Sequence, residues 1–319
     1  MRQLAFIAFI LACMAGAASA ADYPDHPIRL IVPQAAGSAT DTTARILAAE
    51  LSKELGQLVI VDDRPGGALT LGLDLVAKSP RDGYTIGMGP IGALAITRHM
   101  VAKLPYDIER DFQPIALTTR GHLLLAVSPK LPVTSVKELI SYAKKNPGKL
   151  TNASSSNGSP GHVGGELFKF MTRTKIVHVP YRGGALAIND LIAGHVDLMF
   201  ESLQSIAPFA RAGKVRALGV SGAARSPAFP DLPAIGESVP GYLAPTWTGV
   251  IAPAGVPRPI VDKLNAAINQ AIKSESFKEK FAKIGDEPGG GTPEEFAATI
   301  RTDSAKWDDV IKRARIKIE

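Results

Sequence analysis

Three loops of small and polar residues could bind an anion, because each joins a predicted strand to a predicted helix. The first loop, residues 34–40, reads Gln-Ala-Ala-Gly-Ser-Ala-Thr. The second loop carries Ser159 before Pro160, and the third carries the pair Gly183 and Gly184. The first N–H groups of a helix lack intrahelical acceptors and lie at the positive end of its dipole, so these helix starts favour a carboxylate or a phosphate. The alternative is that small polar loops merely turn the chain.

Two charged positions beside these loops allow more than one role. Asp41 begins the helix after the first loop, where an acid favours the dipole or caps the turn; a ligand ammonium group would make it a ligand contact instead. Arg45 lies one turn later and would form an i,i+4 ion pair with Asp41. Arg182, beside the glycine pair, is the better candidate for meeting an anion.

Other patterns that could support catalysis or bind a metal are incomplete. The run Gly87-Met88-Gly89-Pro90-Ile91-Gly92 spells a dinucleotide fingerprint after a strand, but no helix is predicted to open directly after it. His162 and Glu166 could share a metal on one helix face, yet two ligands do not complete a site, and a capped or packed histidine is favoured. No Gly-x-Ser-x-Gly elbow accompanies the serines and histidines. We therefore expect no catalytic residue, metal or cofactor, and keep an exported hydrolase as an alternative.

The first twenty residues predict export. Residues 1–3 are a short basic start, residues 4–14 are an apolar run too short to span a bilayer, and residues 18–20 read Ala-Ser-Ala, so a signal peptide would be cleaved after Ala20. Cys13 is the only cysteine and lies inside this signal, so the mature chain would have no disulfide. Acylation of Cys13 is the alternative. The expected location is the periplasm.

Composition restricts the partners. The chain has 319 residues, a formal charge of +6 and 45% hydrophobic residues, which is enough for two cores. Its basic residues are dispersed and aromatic residues make up 6%, so nucleic-acid binding is not expected. The positive balance suits anionic ligands.

Short β-branched strands alternate with amphipathic helices, which predicts an α/β protein. The first series predicts strands at 28–33, 58–61, 84–88 and 115–118 and helices at 41–55 and 71–78, the order of right-handed βαβ units in a parallel sheet. The second series predicts strands at 123–127, 150–154, 176–179, 197–200 and 215–220 and helices at 135–145, 160–171, 185–194 and 205–211. Each series would form its own sheet.

A proline-rich stretch follows Ser221 and can hold little helix, so we predict that it crosses between the two units. Helices are predicted at 260–273 and 275–284, and a last one opens at Thr292 with a capping box. If these helices cover the first unit, lobe 1 contains residues 21–122 and 246–319, and lobe 2 contains residues 123–245. The cleft between the lobes would bind a small molecule.

Short motifs throughout the mature chain resemble the solute receptors of tripartite tricarboxylate transporters, also called Bug receptors. The motifs include Pro33, Gly37, Asp41 and Arg45; Asp63-Arg64-Pro65-Gly66; Asp82-Gly83-Tyr84-Thr85; Asn157-Gly158-Ser159; Gly165-Glu166-Leu167-Phe168; His178-Val179-Pro180-Tyr181-Arg182-Gly183-Gly184; Pro230-Asp231-Leu232-Pro233; and Pro293-Glu294-Glu295-Phe296. Their number, order and spacing together carry the resemblance.

This resemblance implies a fold like that of type II periplasmic binding proteins. Two Rossmann-like lobes would close on a ligand carboxylate. The implied contacts are Gln34, Ala36, Gly37, Ser38, Thr40, Ser155, Asn157 and Gly158, with Asp41, Pro90, Ile91, Tyr181, Arg182, Gly183 and Glu201 as further lining candidates. Family members often have an aromatic residue at the position of Gln34 and a glycine at that of Ser38. A more polar pocket is therefore expected.

The predicted function is capture of a small organic anion by a periplasmic receptor, followed by recognition of its closed form by membrane transporter subunits. Di- and tricarboxylates, aromatic acids, amino acids and neutral amides all remain open as ligands, and a monomer is the default. The alternatives are an exported hydrolase and a ligand-sensing binding protein without its own transporter.

Overall fold

A computed structural model describes residues 23–101, 103–314 and 316. The predicted signal peptide, its cleavage after Ala20 and the acylation of Cys13 lie outside the described residues. Among the residues described, no helix combines the length and apolarity needed to cross a membrane.

The described chain alternates strands and helices as the two series predict. The strands are β1 (Ile28–Val32), β2 (Val59–Asp63), β3 (Thr85–Pro90), β4 (Phe112–Gly121), β5 (Leu123–Val127), β6 (Thr151–Ser154), β7 (Val177–Pro180), β8 (Leu198–Ser202), β9 (Arg216–Val220), β10 (Thr246–Pro253) and β11 (Glu287–Gly290). The α-helices are α1 (Ala39–Leu55), α2 (Thr70–Ala77), α3 (Val136–Lys145), α4 (Pro160–Thr172), α5 (Gly184–Ala193), α6 (Leu203–Arg211), α7 (Arg258–Ala271), α8 (Glu275–Ile284) and α9 (Pro293–Ala314).

The first sheet is mixed, so the prediction of a wholly parallel sheet is wrong: β10 and β11 run opposite to the other four strands. Its strand order is β11-β4-β10-β3-β1-β2. β1 runs parallel to β2 and β3, whereas β10 runs antiparallel to β3 and β4, and β11 antiparallel to β4. β10 comes from the proline-rich stretch and inserts at the centre of the sheet. Seven of its eight residues are buried, so it lacks the alternation that marks a half-exposed strand.

The second sheet has the order β7-β6-β8-β5-β9 and is also mixed. β6 is parallel to β7 and β8, and β5 is antiparallel to β8 and β9. The two sheets thus divide the chain in the same order as the two predicted lobes. The boundaries at residues 122 and 245 stay a prediction.

The first and the last helix bury the faces that their apolar spacing predicts. In α1, Ala44, Leu47 and Leu51 are fully buried, and the helix ends at Gly56, whose φ of 67° is left-handed. The returning helices α7 and α9 pack on the first sheet, as predicted, and α9 also contacts α4 of the second. The capping box of α9 is reciprocal: Glu295 N–H donates to Thr292 Oγ1 at 3.1 Å, and Thr292 N–H donates to Glu295 Oε2 at 2.8 Å.

The chain passes between the sheets twice, directly from β4 to β5 and through residues 221–245. Ser221, which is fully buried, ties these two connections together. Its Oγ accepts the Leu123 N–H at 2.8 Å and donates to the Ala244 carbonyl at 2.6 Å. One buried side chain therefore links both connections between the sheets.

Candidate functional site

The three loops singled out in the sequence meet around one cleft between the two sheets, with a volume of about 620 Å³. They come from the carboxyl ends of β1, β6 and β7, each of which leads into a helix. The loops contribute residues 34–40, Ser155, Ser156, Pro160, Gly161 and 181–186 to the lining. The carboxyl ends of parallel strands are where open α/β sheets bind ligands.

The three helix starts differ in whether a side chain of the protein accepts hydrogen bonds from their first N–H groups. The Ser38 hydroxyl accepts the Asp41 N–H at 3.2 Å at the start of α1, and the Ser159 hydroxyl accepts the His162 N–H at 3.2 Å at the start of α4. Gly183 precedes α5 with a φ of 136° and has no side chain to cap it. The start of α5 therefore has no side-chain cap.

Asp41 lies behind the first loop and does not line the cleft. Its carboxylate is buried, with 3% of the residue exposed. Oδ2 accepts the Gly37 N–H at 2.7 Å, and Oδ1 lies 2.7 Å from Nε of Arg45, the predicted i,i+4 pair. Arg45 also bonds Asp63, whose pKa is raised by burial and by the nearby Asp41 carboxylate. The geometry supports the turn-stabilising role of Asp41.

The predicted site residues divide into those that line the cleft and those that do not. The residues in the lining are Gln34, Ala36, Gly37, Ser38, Thr40, Pro90, Ile91, Ser155, Tyr181, Arg182, Gly183 and Glu201. Asp41, Asn157 and Gly158 are outside it. Their contact with a ligand stays a prediction.

His162 is packed and hydrogen-bonded. Its Nδ1 accepts the Gly158 N–H at 3.1 Å, and its ring stacks on His178 with centroids 3.9 Å apart. Burial lowers the pKa of His162 to about 3 and that of His178 to about 4, so both rings are neutral at pH 7. Glu166 instead pairs with Lys169 at 2.6 Å. Within the described ranges, no group of three or more His, Cys, Asp or Glu side chains could hold a metal.

The first two glycines of the dinucleotide-like run leave room for side chains that pack on the first sheet. A Cβ on Gly87 would lie 2.7 Å from Val76 Cγ2, and one on Gly89 would lie 2.4 Å from Leu94 Cδ1. Contrary to the expectation that no helix opens there, a π-helical turn spans Gly92–Ile96 directly after the strand. The glycines thus make room for apolar side chains, and this explains the pattern without a dinucleotide.

One wall of the cleft is formed by residues that were not predicted as ligand contacts. Residues 65–69 line it, and the two non-glycine residues Ala68 and Leu69 have left-handed φ values of 52° and 75°. Such a conformation costs about 1–2 kcal/mol for each of them. The preceding pair, Gly66 and Gly67, signals a turn but not its place beside the cleft.

Trp247, Gln204 and Asp286 also line the cleft and were missed. Trp247 belongs to β10, Gln204 to the first turn of α6, and Asp286 to the junction of α8 and β11. Gln204 reaches across the lobes, because its side chain bonds Thr43 of α1 at 3.3 Å and donates to Asp286 Oδ2. No local sequence signal places these residues at the site.

The charged side chains in the described lining are one cation, Arg182, and two acids, Glu201 and Asp286. Arg182 is exposed and forms no ion pair with a described residue. Glu201 is 8% exposed and Asp286 is 6% exposed, and burial raises the pKa of each carboxyl to about 7. The cleft therefore has a basic rim position and two weakly acidic groups in its wall.

Tyr181 contributes its ring to the same wall. Its hydroxyl donates to Asp190 Oδ2 at 2.6 Å. Burial, followed by this bond, raises the pKa of Tyr181 to about 12. Tyr181 is thus a neutral, oriented lining residue at pH 7.

Comparison with known proteins agrees with this architecture. The model of the tripartite tricarboxylate transporter family receptor matches residues 43–316 of this chain. Protein BugT of Bordetella pertussis is 34% identical over 295 residues, which cover 92% of this chain and 90% of BugT.

Two solved structures are similar throughout. The structure of R. palustris Rpa4515 with adipate has a TM-score of 0.90 and 40% identity, covering 93% of this chain and 99% of that one. MatC (Rpa3494) from Rhodopseudomonas palustris with bound malate has a TM-score of 0.86 and 31% identity, covering 91% and 100%. The two-lobed α/β fold and the resemblance drawn from the motifs are confirmed. The chain belongs to the tripartite tricarboxylate transporter receptor family of solute-binding proteins.

Proposed function

We propose that this protein is a periplasmic receptor that captures a small organic carboxylate in the cleft between its lobes. The observation that carries the proposal is the convergence of three helix starts, from both sheets, on one cleft. Helix N-termini stabilise anions through free N–H groups and the helix dipole. Adipate and malate are the ligands named with Rpa4515 and MatC, and both are small dicarboxylates.

Capture would proceed by closure of the lobes on the ligand. The first loop belongs to the first sheet, and the serine-rich and glycine loops belong to the second, so a carboxylate bound by both would draw them together. The two connections between the lobes, which Ser221 joins by hydrogen bonds, would act as the hinge for this closure. The closed form would then be recognised by membrane subunits of a tripartite transporter, with the receptor acting as a monomer.

Two serine–histidine pairs could support the alternative of an exported hydrolase, and neither contributes a residue to the cleft lining. Ser304 Oγ lies 2.8 Å from His99 Nε2, whose Nδ1 lies 3.3 Å from Asp308 Oδ1, but Ser304 is only 6% exposed. Ser154 Oγ lies 2.7 Å from His178 Nε2. Ser154 is fully buried, however, and does not line the cleft, so its hydroxyl could not reach a bound substrate without rearrangement. Its contact with the Ser156 carbonyl at 3.0 Å gives it a structural role in the loop. We therefore propose binding without catalysis.

A thermal-shift screen of the mature protein, residues 21–319, tests the proposal. The panel contains di- and tricarboxylates, aromatic acids, amino acids and their amides. A ligand at a hundred times its dissociation constant stabilises the folded protein by about 2.7 kcal/mol. A saturable shift from carboxylates supports the receptor function. No shift from any carboxylate with ligand-stripped protein would refute it, and turnover of a bound ester or amide would favour the hydrolase.

A further inference from the structure

We propose that His162 is a positioning residue, which together with His178 holds the serine-rich loop, residues 155–158, in the conformation that binds the ligand. This inference rests on the proposed function, because it names the residues that prepare one side of the carboxylate site. It follows from hydrogen bonds between the two buried imidazoles and this loop, and from the same arrangement at the first loop.

His162 bonds the loop directly. Its side chain extends back from the first turn of α4, and its Nδ1 accepts the Gly158 N–H at 3.1 Å. A ring nitrogen that accepts a hydrogen bond carries no proton, so the proton of the neutral ring is on Nε2. Gly158 is outside the cleft lining, whereas Ser155 and Ser156 of the same loop belong to it. The imidazole thus fixes one end of a loop whose serines line the cleft.

His178 acts on the loop through Ser154. Its Nε2 lies 2.7 Å from Ser154 Oγ, and this hydroxyl donates to the Ser156 carbonyl at 3.0 Å. Since the single hydroxyl proton is used in the bond to Ser156, Ser154 accepts from His178, whose proton is therefore also on Nε2. The two imidazoles stack with centroids 3.9 Å apart. They form one unit that is bonded to the loop at two points.

The first loop is built in the same way, with an acid in place of the histidine. Residues 37–41 read Gly-Ser-Ala-Thr-Asp, and residues 158–162 read Gly-Ser-Pro-Gly-His. In each, the glycine has a left-handed φ, of 79° and 74°, the serine caps the helix, and the fifth residue accepts the glycine N–H. In each, the serine N–H also donates to the carbonyl three residues earlier, at 3.1 and 3.2 Å. Two different acceptors thus make the same bond in the two lobes.

A loop that is held in its binding conformation before the ligand arrives binds more tightly. The apparent affinity falls in proportion to the fraction of molecules whose site is competent to bind. Without His162, the buried Gly158 N–H would lack its acceptor, and other loop conformations would become populated. Burial, with a further contribution from Lys169, lowers the pKa of both imidazoles, and Lys169 itself pairs with Glu166. Nδ1 of His162 is therefore available as an acceptor at pH 7.

The test uses amide side chains that each reproduce one imidazole nitrogen. The oxygen of asparagine takes the place of Nδ1, and the nitrogen of glutamine takes the place of Nε2. H162Q is expected to lose affinity about tenfold, the factor for one lost hydrogen bond to a buried group, and H162N to restore most of it. At His178 the order is reversed, so H178N loses affinity and H178Q restores it. A packing role alone would not produce this reversal.

Calorimetric titration at pH 7 measures these affinities. The probes are adipate, malate and every other carboxylate of the thermal-shift panel that stabilises the protein. The matched control is T172A at the other end of α4, which removes a buried hydroxyl bonded to the Phe168 carbonyl at 2.6 Å, outside the cleft lining. T172A is expected to lower the free energy of unfolding and to leave the affinity unchanged.

Nitrogen NMR of the imidazoles provides a measurement on the unaltered protein, which decides the inference even if a variant fails to fold. At pH 7 we expect both rings to be neutral, with the proton on Nε2 and none on Nδ1. A proton on Nδ1 of His162 would overturn the inference, because that nitrogen could not accept the Gly158 N–H.

Two results of the titrations would also overturn the inference and leave the receptor function intact. Equal affinities in H162N and H162Q, whether retained or lost, would show that the acceptor at Nδ1 does not position the loop. Equal losses of affinity in H162Q and T172A would assign His162 to stability alone. If the unaltered protein binds no carboxylate of the panel, the proposed function fails and the inference fails with it.

Discussion

The Gly37 N–H donates a 2.7 Å hydrogen bond to Asp41 Oδ2, so one amide of the first loop is already satisfied by the protein. Asp41 thereby shapes the loop that faces the cleft, while its other oxygen lies against Arg45. A ligand carboxylate at this loop would have to be bound by other donors of residues 34–40. The acid at the helix start thus acts on the site through the backbone of the loop.

Replacing Asp41 with alanine is expected to lower the free energy of unfolding by about 1–3 kcal/mol, because it leaves a buried amide without its acceptor. It should also weaken ligand binding, since the loop loses the bond that orients Gly37. Urea unfolding and calorimetric titration would measure the two effects. D41N, which retains a carbonyl acceptor, should lose less of both.

The matched control for D41A is T292A, which removes the hydroxyl that accepts the Glu295 N–H at the start of α9. This cap is remote from the cleft lining. Its loss should lower stability by about 1 kcal/mol and leave the affinity unchanged. Equal affinities in T292A and D41A would show that Asp41 contributes only to stability.

Replacing Ser155 with alanine is expected to weaken binding of the cognate carboxylate by about 1–3 kcal/mol, the range for a buried polar partner left unsatisfied. Ser155 lines the cleft, whereas Asn157 does not. N157A should therefore have the smaller effect in the same titration. Unchanged affinity in both variants would remove the serine-rich loop from the site.

Replacing Gly161 with alanine is expected to destabilise the second lobe by about 1–3 kcal/mol through overpacking. Its Cβ would lie 2.1 Å from the backbone carbonyl of Phe200, so α4 would have to move away from the strand that carries Glu201. Urea unfolding should show a lower free energy of unfolding, and calorimetric titration should show a lower affinity for the ligand.

The control for G161A is G164A in the same helix. Its Cβ would meet the end of the Leu123 side chain at 3.0 Å, and this flexible group can shift more readily than a backbone carbonyl. A smaller loss of stability is therefore expected. Similar losses in the two variants would contradict the argument from backbone contact.

Glu201 and Asp286 are expected to destabilise the ligand-free protein as the pH rises from about 4 to about 7. Burial raises the pKa of each to about 7, so in this range the folded protein keeps protons that the unfolded chain has released. The free energy of unfolding falls with rising pH wherever the folded state binds more protons. Each pKa unit corresponds to about 1.4 kcal/mol, so each group contributes on the order of 3 kcal/mol.

Urea unfolding of the unaltered protein and of E201Q at pH 5 and pH 7.5 isolates the contribution of Glu201. The comparison is needed because His162 and His178, with lowered pKa values, act in the opposite direction over part of the same range. E201Q should gain stability relative to the unaltered protein as the pH rises. Parallel pH profiles for the two proteins would exclude a shifted carboxyl at this position.

Local sequence signals were sufficient to predict that helices begin at the three loops of the cleft. A helix start depends on residues next to one another, so Ser159 before Pro160 and the glycine pair at 183–184 could be assigned from the chain alone. The first helix was predicted to begin at Asp41, whereas the structure begins it at Ala39 with Ser38 as its cap. The alternation of strands and helices likewise predicted two α/β units. The ion pair of Arg45 with Asp41 also followed from spacing within one helix, whereas the stacking of His162 on His178 is a tertiary contact.

The sequence by itself determined the two α/β units, the three anion-ready helix starts and the family, because each of these rests on short-range patterns or on motifs in a set order. Only the tertiary structure decided that β10 enters the first sheet antiparallel and that Glu201 and Asp286 line the same cleft. Asp286 and Gln204 are 82 positions apart, and their contact depends on how the two lobes pack. Burial, which raises the pKa of both acids, exists only after that packing has excluded water.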